Sequence, residues 1–290
     1  MHFIGWRAVM RQLFLGSIAL VALAGSQALA ADVPVKAPAY KAPPPIVVHD
    51  WTGCYVGGNA GWIGGGDRLS NYPGPTAAAF FPMTSAQVAA STNSVTPNGS
   101  GLTGGVQVGC NWQGAGSPLV LGVEADFSGS GLRESTTVAY PIRDIGGGTT
   151  QSAHTEANTK DVTWFSTYRG RLGFAADRAL FFLTGGLAVA HINSSLAYTL
   201  AGAAAPLYLG SDSRTRTGYT VGGGFEYAFT NNLSAKLEYL YLDFGSYTFD
   251  SAIIIAFPAI AWATDVRARE HVVRVGLNYK FDWAPVVANY

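Results

Sequence analysis

The chain has 290 residues, 12% of them charged and 12% aromatic, and its 18 basic side chains balance its 18 acidic ones. This balance gives no basic surface of the kind that binds nucleic acid. Charged residues make up about 25% of a typical soluble domain. No uncharged apolar run beyond the first 30 residues approaches the length of a membrane-spanning helix, which excludes a helical membrane protein. The low charge and the 36 glycines are typical of a transmembrane β-barrel.

Residues 1–30 have the organisation of a secretory signal peptide. Two arginines precede an uncharged apolar segment at 13–25, and an A-x-A cleavage site ends at Ala30. A transmembrane anchor is the alternative, but it needs about 20 apolar residues. The sequence therefore predicts an exported mature chain that begins at Ala31. Residues 31–50 are rich in proline and alanine and are interpreted as a periplasmic linker, either extended or disordered.

Eight segments follow in which apolar and polar residues alternate with the period of a β-strand, although the fifth is nearly all apolar. The predicted strands are 54–64, 101–113, 119–128, 161–174, 179–193, 217–229, 233–247 and 266–281. Four long connections, 65–100, 129–160, 194–216 and 248–265, alternate with three tight turns. Outer-membrane barrels have this asymmetry, with short periplasmic turns and long external loops.

The fold class predicted from this pattern is all-β, an eight-stranded antiparallel transmembrane β-barrel over residues 51–281 with a C-terminal tail at 282–290. Its last strand must pair with the first, because an open sheet edge is not tolerated in lipid. Aromatic residues near strand ends, such as Trp51, Trp62 and Phe281, are expected in the interfacial girdles. In the fourth strand the alternation predicts Val162 on the lipid face and Asp161 on the lumen face.

The polar faces of the strands carry mostly glycine, serine and threonine, with a few charges at similar depth. The predicted lumen charge network consists of Glu124, Asp126, Arg169, Arg171, Glu226, Lys236, Glu238 and Arg274. We expect Glu124 and Asp126 to pair with Arg169 and Arg171, and the two other glutamates to pair with Lys236 and Arg274. The alternative is a soluble, lipocalin-like barrel with ordinary cross-strand surface pairs, each worth a few tenths of a kcal/mol.

Two cysteines lie near the periplasmic ends of the first two strands. By alternation Cys54 and Cys110 both point outward, and adjacent antiparallel strands can bring them close. Because the periplasm is oxidising, a disulfide is one interpretation. The other is two small residues that separately face lipid.

No catalytic or metal-binding motif stands out. His49, His154, His191 and His271 lie apart without metal-ligand spacing, and no nucleophile has a nearby base. We therefore predict no cofactor, no metal and no enzymatic activity. Two loop segments are unusually apolar, 77–83 and 252–263. They either extend strands above the bilayer or pack on one another, or they form a hydrophobic patch that binds a partner, lipid or an apolar ligand.

Three segments resemble a known family. Residues 274–281, with Arg274, Gly276, Tyr279 and Phe281, resemble the C-terminal assembly signal of outer-membrane proteins. Residues 50–61 and 219–239 are similar to the opening strand and a central block of the outer membrane immunogenic protein family of Gram-negative bacteria, which are porin-like, OmpA-like eight-stranded barrels. The two cysteines depart from the aromatics usual in that family. Nine residues follow Phe281, so either Phe281 or Tyr290 could serve as the terminal aromatic.

The resemblance implies a protein of the cell outer membrane that contacts outer-membrane lipid and lipopolysaccharide, and meets the assembly machinery during biogenesis. A monomer is expected. Eight strands enclose a lumen only wide enough for side chains, so a structural, surface-exposed role is favoured. The alternatives are a narrow porin for ions or small solutes, and a surface adhesin that binds through its loops.

Overall fold

The computed structural model describes residues 49–253 and 261–281. The predicted signal peptide, nearly all of the predicted linker and the tail at 282–290 lie outside the described residues, so these assignments stay predictions. The apolar segment at 252–263 is described only at its two ends.

Long β-strands dominate the described residues, and two short helices follow the second strand. The elements in chain order are β1 (Gly53–Gly66), β2 (Arg68–Pro73), α1 (Pro75–Phe80), α2 (Ser85–Ser91), β3 (Asn93–Val95), β4 (Asn98–Gln113), β5 (Leu119–Tyr140), β6 (Arg143–Gly146), β7 (Thr149–Gln151), β8 (His154–Ala176), β9 (Ala179–Leu200), β10 (Tyr208–Ala228), β11 (Leu233–Ile253) and β12 (Ala261–Lys280). Neither helix in the described part of the chain has the length and apolar character to span a bilayer.

Eight long strands form a closed antiparallel barrel. They are hydrogen-bonded in the order β1, β4, β5, β8, β9, β10, β11, β12, and β12 also pairs with β1. The closing register runs from Tyr55 opposite Lys280 to Gly65 opposite Glu270. This closure confirms the predicted all-β, eight-stranded antiparallel barrel.

The strands are longer than predicted on the side opposite the short turns. β5 runs to Tyr140 and β8 starts at His154, so most of the predicted loop 129–160 is strand. In the same way β9 runs to Leu200 and β10 starts at Tyr208 within the predicted loop 194–216. These loop predictions are therefore wrong for much of their length. The predicted loop 65–100 contains β2, β3 and both helices, so residues 77–83 are partly helical.

An apolar belt surrounds the barrel on the side of the tight turns. Large apolar side chains point outward on every barrel strand, and they are 37–70% exposed. The belt runs from Trp112, Phe174, Phe229 and Phe281 at one edge to Leu102, Leu187, Tyr219 and Val273 at the other. About nine residues of tilted strand span it, roughly 23 Å, close to the apolar band of outer-membrane barrels.

Above the belt, on the side away from the short turns, alternation no longer separates outward apolar residues from inward polar ones. A register shift between Val162 and Trp164 in β8 turns Val162 inward, where it is 1% exposed, and Asp161 outward into an ion pair with Arg133. The prediction for these two residues is wrong because a β-bulge inserts one extra residue and reverses the phase. Above the bulge, apolar side chains such as Val162 enter the interior together with buried polar ones, while polar side chains face out.

Candidate functional site

All eight residues of the predicted charge network lie inside the barrel, and each is at most 4% exposed. We call them the lower ionic layer: Glu124, Asp126, Arg169, Arg171, Glu226, Lys236, Glu238 and Arg274. They come from β5, β8, β10, β11 and β12, on positions whose sequence neighbours face lipid. Four carboxylates meet four cations, so the layer is formally neutral. Neutrality matters here, because an unpaired buried charge costs several kcal/mol.

The lower ionic layer is one connected network rather than two ladders. Arg169 binds Glu124 and Asp126, and it reaches across the lumen to Glu238. Arg274 joins the same acids from β12, at 2.9 Å from Asp126 and 2.8 Å from Glu238. Because the lumen is narrow, long side chains reach strands that are not neighbours in the sheet.

One acid has a partner that the strand order did not indicate. Glu226 lies 2.7 Å from Arg171 rather than against Lys236 or Arg274, and it accepts hydrogen bonds from Ser234 and Asn278. Lys236 instead binds Glu124 at 2.6 Å. Tyr55 joins the network from β1, which the sequence analysis did not anticipate. Its hydroxyl donates to Glu124 and accepts from Arg171 at 2.7 Å.

An apolar layer lies directly above the lower ionic layer. It is formed by Ile63, Leu132, Val162, Phe165, Ala188, Ala190, Ile192, Leu240, Leu242, Phe244, Ala268 and Val272. Most of these residues are no more than 2% exposed. Leu240 and Leu242 follow Lys236 and Glu238 on the inward face of β11, so a strand with a polar inner face at one end has an apolar one further along. This run of leucines was the signal in the sequence for a second kind of lumen packing.

An upper ionic layer follows above the apolar one and outside the belt. Lys160 binds Asp67 and Glu270, and its ammonium lies 3.8 Å from Glu134. Three carboxylates around one ammonium leave a formal charge of −2. Burial raises the pKa of Glu134 to about 8 and that of Glu270 to about 7, since the ionised carboxylates lose their hydration. Sequence reasoning missed this layer because it assigned three of its members to loops.

The mouth of the barrel on the side of the short turns is covered by the residues before β1. Trp51 is 3% exposed and packs on Val120, Ala175, Leu180 and Ala228, so its predicted place in the outer aromatic girdle is wrong. Its indole donates to the backbone carbonyl of Asp177 at 3.0 Å, and its backbone N–H donates to Gln113 at 2.9 Å. An indole that has apolar surroundings and a partner for its N–H is stable inside the mouth.

The two cysteines lie directly opposite each other on β1 and β4 and form a disulfide. The bond closes a chain segment with a sequence separation of 56. It lies in the same outward-facing phase as Val56 and Val108.

The residues of the predicted assembly signal divide between the two faces of β12. Arg274 points into the lower ionic layer, and Tyr279 and Phe281 point outward, 51% and 46% exposed. Gly276 faces the lumen, where a Cβ atom would lie 2.8 Å from the Gln107 side chain. Whether the assembly machinery reads these residues stays a prediction.

Within residues 49–253 and 261–281, no group of three or more His, Cys, Asp or Glu side chains is arranged to hold a metal ion. The described histidines have other partners. His271 is hydrogen-bonded to Tyr239 at 2.7 Å, and His154 lies 3.1 Å from Asn93.

A closed antiparallel barrel with an outward apolar belt and an ionic interior defines the class of outer-membrane β-barrel proteins. The chain belongs to the outer membrane protein beta-barrel domain family, whose sequence profile matches residues 17–281. It is 37% identical over 276 residues to the 31 kDa outer-membrane immunogenic protein of Brucella melitensis, covering 94% of this chain and 100% of that relative. The chain thus belongs to the outer-membrane immunogenic protein family of β-barrels, and its location is the outer membrane.

Two further comparisons are weaker. The 22 kDa outer membrane protein of Rhizobium leguminosarum is 31% identical over 150 residues, which cover 52% of this chain and 56% of that protein. The crystal structure of OprG from Pseudomonas aeruginosa is 13% identical with a TM-score of 0.42, and covers 79% of this chain and 96% of that one. This last likeness is too low to bear on function.

Proposed function

We propose that the protein is a structural outer-membrane barrel with a closed lumen, which supports the integrity of the envelope and presents its outer end at the cell surface. The observation that carries this proposal is the stacking of side chains along the barrel axis. Along this axis, Trp51 is followed by the lower ionic layer, the apolar layer and the upper ionic layer. Among the described residues no other element separates these layers.

The energetic cost of opening supports a closed state. A water-filled path would have to separate ion pairs that are almost fully buried, such as Arg169 with Glu238 and Arg274 with Asp126. Breaking one buried pair by removing a partner typically costs about 3–5 kcal/mol. The apolar layer adds a second barrier, because a hydrophobic constriction stays dry.

The outer end favours surface presentation as part of the role. β5, β8 and β9 extend well past the belt, and α1, α2 and the β6–β7 hairpin follow on this side. The outward side chains of these three strands are mostly polar on this side, as expected for a segment in water, whereas Phe80 and Phe81 at the end of α1 are exposed apolar groups. A surface adhesin that binds through this end is therefore the second candidate, and a narrow porin is the less favoured one.

The proposal includes partners. Outer-membrane lipid and lipopolysaccharide would contact the belt and its rim, and the assembly machinery would contact the chain during insertion. We expect a monomer that binds no nucleic acid or cofactor and has no enzymatic activity.

Single-channel conductance in planar bilayers tests the closed lumen. The refolded mature protein is expected to give no stable open steps in concentrated potassium chloride. Heat-dependent mobility on gels and recovery of protein from the bilayer or vesicles would verify that folded barrels were present. Stable steps of uniform size from verified barrels would contradict the proposal and favour the narrow porin.

A further inference from the structure

Three arginines cluster on the outer wall just above the belt. Arg68 on β2 and Arg267 on β12 are direct cross-strand partners, and both are exposed. Arg269 precedes the belt on the same outward phase of β12 and is 41% exposed at its side chain. We call these three residues the arginine cluster. It lies on the side of the barrel away from the short turns, which is the side of the outer leaflet.

The charges of the arginine cluster are only partly compensated. Arg269 binds Asp243 at 3.2 Å. In the described ranges neither Arg68 nor Arg267 makes an ion pair, and the nearby Asp265 accepts hydrogen bonds from Tyr72 and Thr248 instead. Like charges directly opposite each other on neighbouring strands are destabilising. An anion between the two guanidinium groups would remove this repulsion.

An aromatic shelf lies immediately below the arginine cluster. Tyr239 and Tyr241 on β11 contact the ring of His271 on β12, and Tyr241 donates to Asp243 at 3.2 Å. Tyrosines of this kind mark the boundary between headgroups and acyl chains. Val273 and the rest of the belt continue below the shelf, on the same outward face of β12. A ligand here would meet cations, then amphipathic rings, then apolar surface.

We propose that the arginine cluster binds the phosphate groups of a bis-phosphorylated glycolipid in the outer leaflet, whose acyl chains lie along the belt below the aromatic shelf. Guanidinium groups match phosphate oxygens in bidentate geometry, and three of them suit a headgroup with more than one phosphate. A free anion would use the cations but gain nothing from the shelf and the belt. The site specifies the lipopolysaccharide contact of the proposed function and rests on that part of it, but it does not depend on whether the lumen is closed.

Titration of the refolded full-length mature protein in uncharged detergent tests the site. Diphosphoryl lipid A is the probe, and phosphatidylglycerol and inorganic phosphate are compared at equal phosphate concentration. The test variant is R68Q/R267Q. The matched control is R133Q/R214Q, which removes two exposed arginines that already have acidic partners, Asp161 at 3.1 Å and Asp212 at 2.9 Å.

We expect the test variant to bind diphosphoryl lipid A about tenfold more weakly, and the control to stay within about twofold of the wild type. R68K/R267K should recover part of the affinity, because it keeps the charge but loses the bidentate geometry. If the double variant does not fold, R68Q and R267Q alone should each weaken binding about threefold.

Three results would overturn the proposal. The first is an equal loss of affinity in both double variants, which would indicate a general charge effect. The second is equally tight binding of phosphatidylglycerol, which would exclude a bis-phosphorylated headgroup. The third is saturation by inorganic phosphate in the same concentration range, which would identify a free-anion site.

Discussion

Replacing Glu134 by glutamine should make the protein more stable at high pH. Glu134 belongs to the upper ionic layer, where three carboxylates surround the ammonium of Lys160. Among the residues that the structure describes, neither of its carboxylate oxygens has a hydrogen-bond partner. Burial raises the pKa of Glu134 to about 8, so the folded protein holds a proton on this carboxyl at neutral pH. Glutamine copies the shape of the protonated side chain without the option of ionising.

The sign and size of the expected change in the free energy of unfolding follow from proton linkage. The unfolded chain releases this proton near pH 4.5, whereas the folded chain keeps it up to about pH 8. The folded state therefore binds more protons in this window, and the free energy of unfolding falls as pH rises through it. One proton corresponds to about 1.4 kcal/mol per pH unit, so Glu134 accounts for a loss of up to about 4 kcal/mol between pH 5 and pH 8.

Urea unfolding in detergent at pH 5, 6.5 and 8, followed by tryptophan fluorescence, measures the effect. Wild type should lose stability with rising pH, and E134Q should have a shallower slope and exceed the wild type by about 2–4 kcal/mol at pH 8. Glu270 titrates in the same direction, so some slope should remain. The control is E238Q, which leaves an excess cation in the neutral lower layer and should destabilise at every pH. Identical slopes for wild type and E134Q would refute the reasoning.

Three other changes have expected outcomes. Replacing Cys54 and Cys110 by alanine should lower the free energy of unfolding by up to about 4 kcal/mol in the chain-entropy estimate for a loop of this length, as a urea midpoint should show; an unchanged midpoint would speak against a stabilising bond. Lys236→Met should cost about 3–5 kcal/mol in the same assay, because Glu124 loses a partner at 2.6 Å, and a neutral result would mean that the arginines compensate. Phe281→Ala should slow insertion into vesicles if Phe281 is the terminal aromatic that is read, whereas normal insertion would favour Tyr290.

The sequence predicted the barrel well where lipid imposes a strict pattern. On β12, Val273 and Val275 face out and Arg274 faces in, so the alternation is sharp and its direction is unambiguous. Every outward residue in the hydrocarbon region must be apolar, because lipid offers no partner for a polar group. The inward orientation of Glu124 and Arg169 follows from this rule, and their similar depth predicts that they pair.

Above the belt the same rule fails because its cause is gone. On the upper part of β12, Val266 and Ala268 point inward while Arg267 is exposed, the reverse of the pattern a few residues later. Water accepts polar side chains on the outer wall, so apolar side chains can turn inward there and pack beside the buried polar ones. A search for one continuous phase therefore ends β5 at the belt and assigns its remainder, up to Tyr140, to a loop.

Local bulges also lie beyond what alternation can locate. The register shift between Val162 and Trp164 leaves no mark in the sequence, since valine, threonine and tryptophan all suit a strand. Side-chain reach inside the lumen is a third limit. Glu226 on β10 pairs with Arg171 on β8 because both side chains extend into the lumen. These two strands are not neighbours in the sheet, so a search of neighbouring strands does not find the pair.

The two ionic layers differ in their balance of acidic and basic side chains because their surroundings differ. The lower layer lies at the level of the belt, between an apolar layer above and Trp51 below, so neither water nor protons reach it easily and four acids must meet four bases. The upper layer lies where the outer wall is polar, as the exposed pair of Arg133 and Asp161 shows. Excess acid is tolerable there because a carboxyl such as Glu134 can take up a proton from solvent. If the upper layer were also neutral, it would add no pH dependence to the free energy of unfolding. The slope expected for the wild type therefore measures the excess of acid in the upper layer.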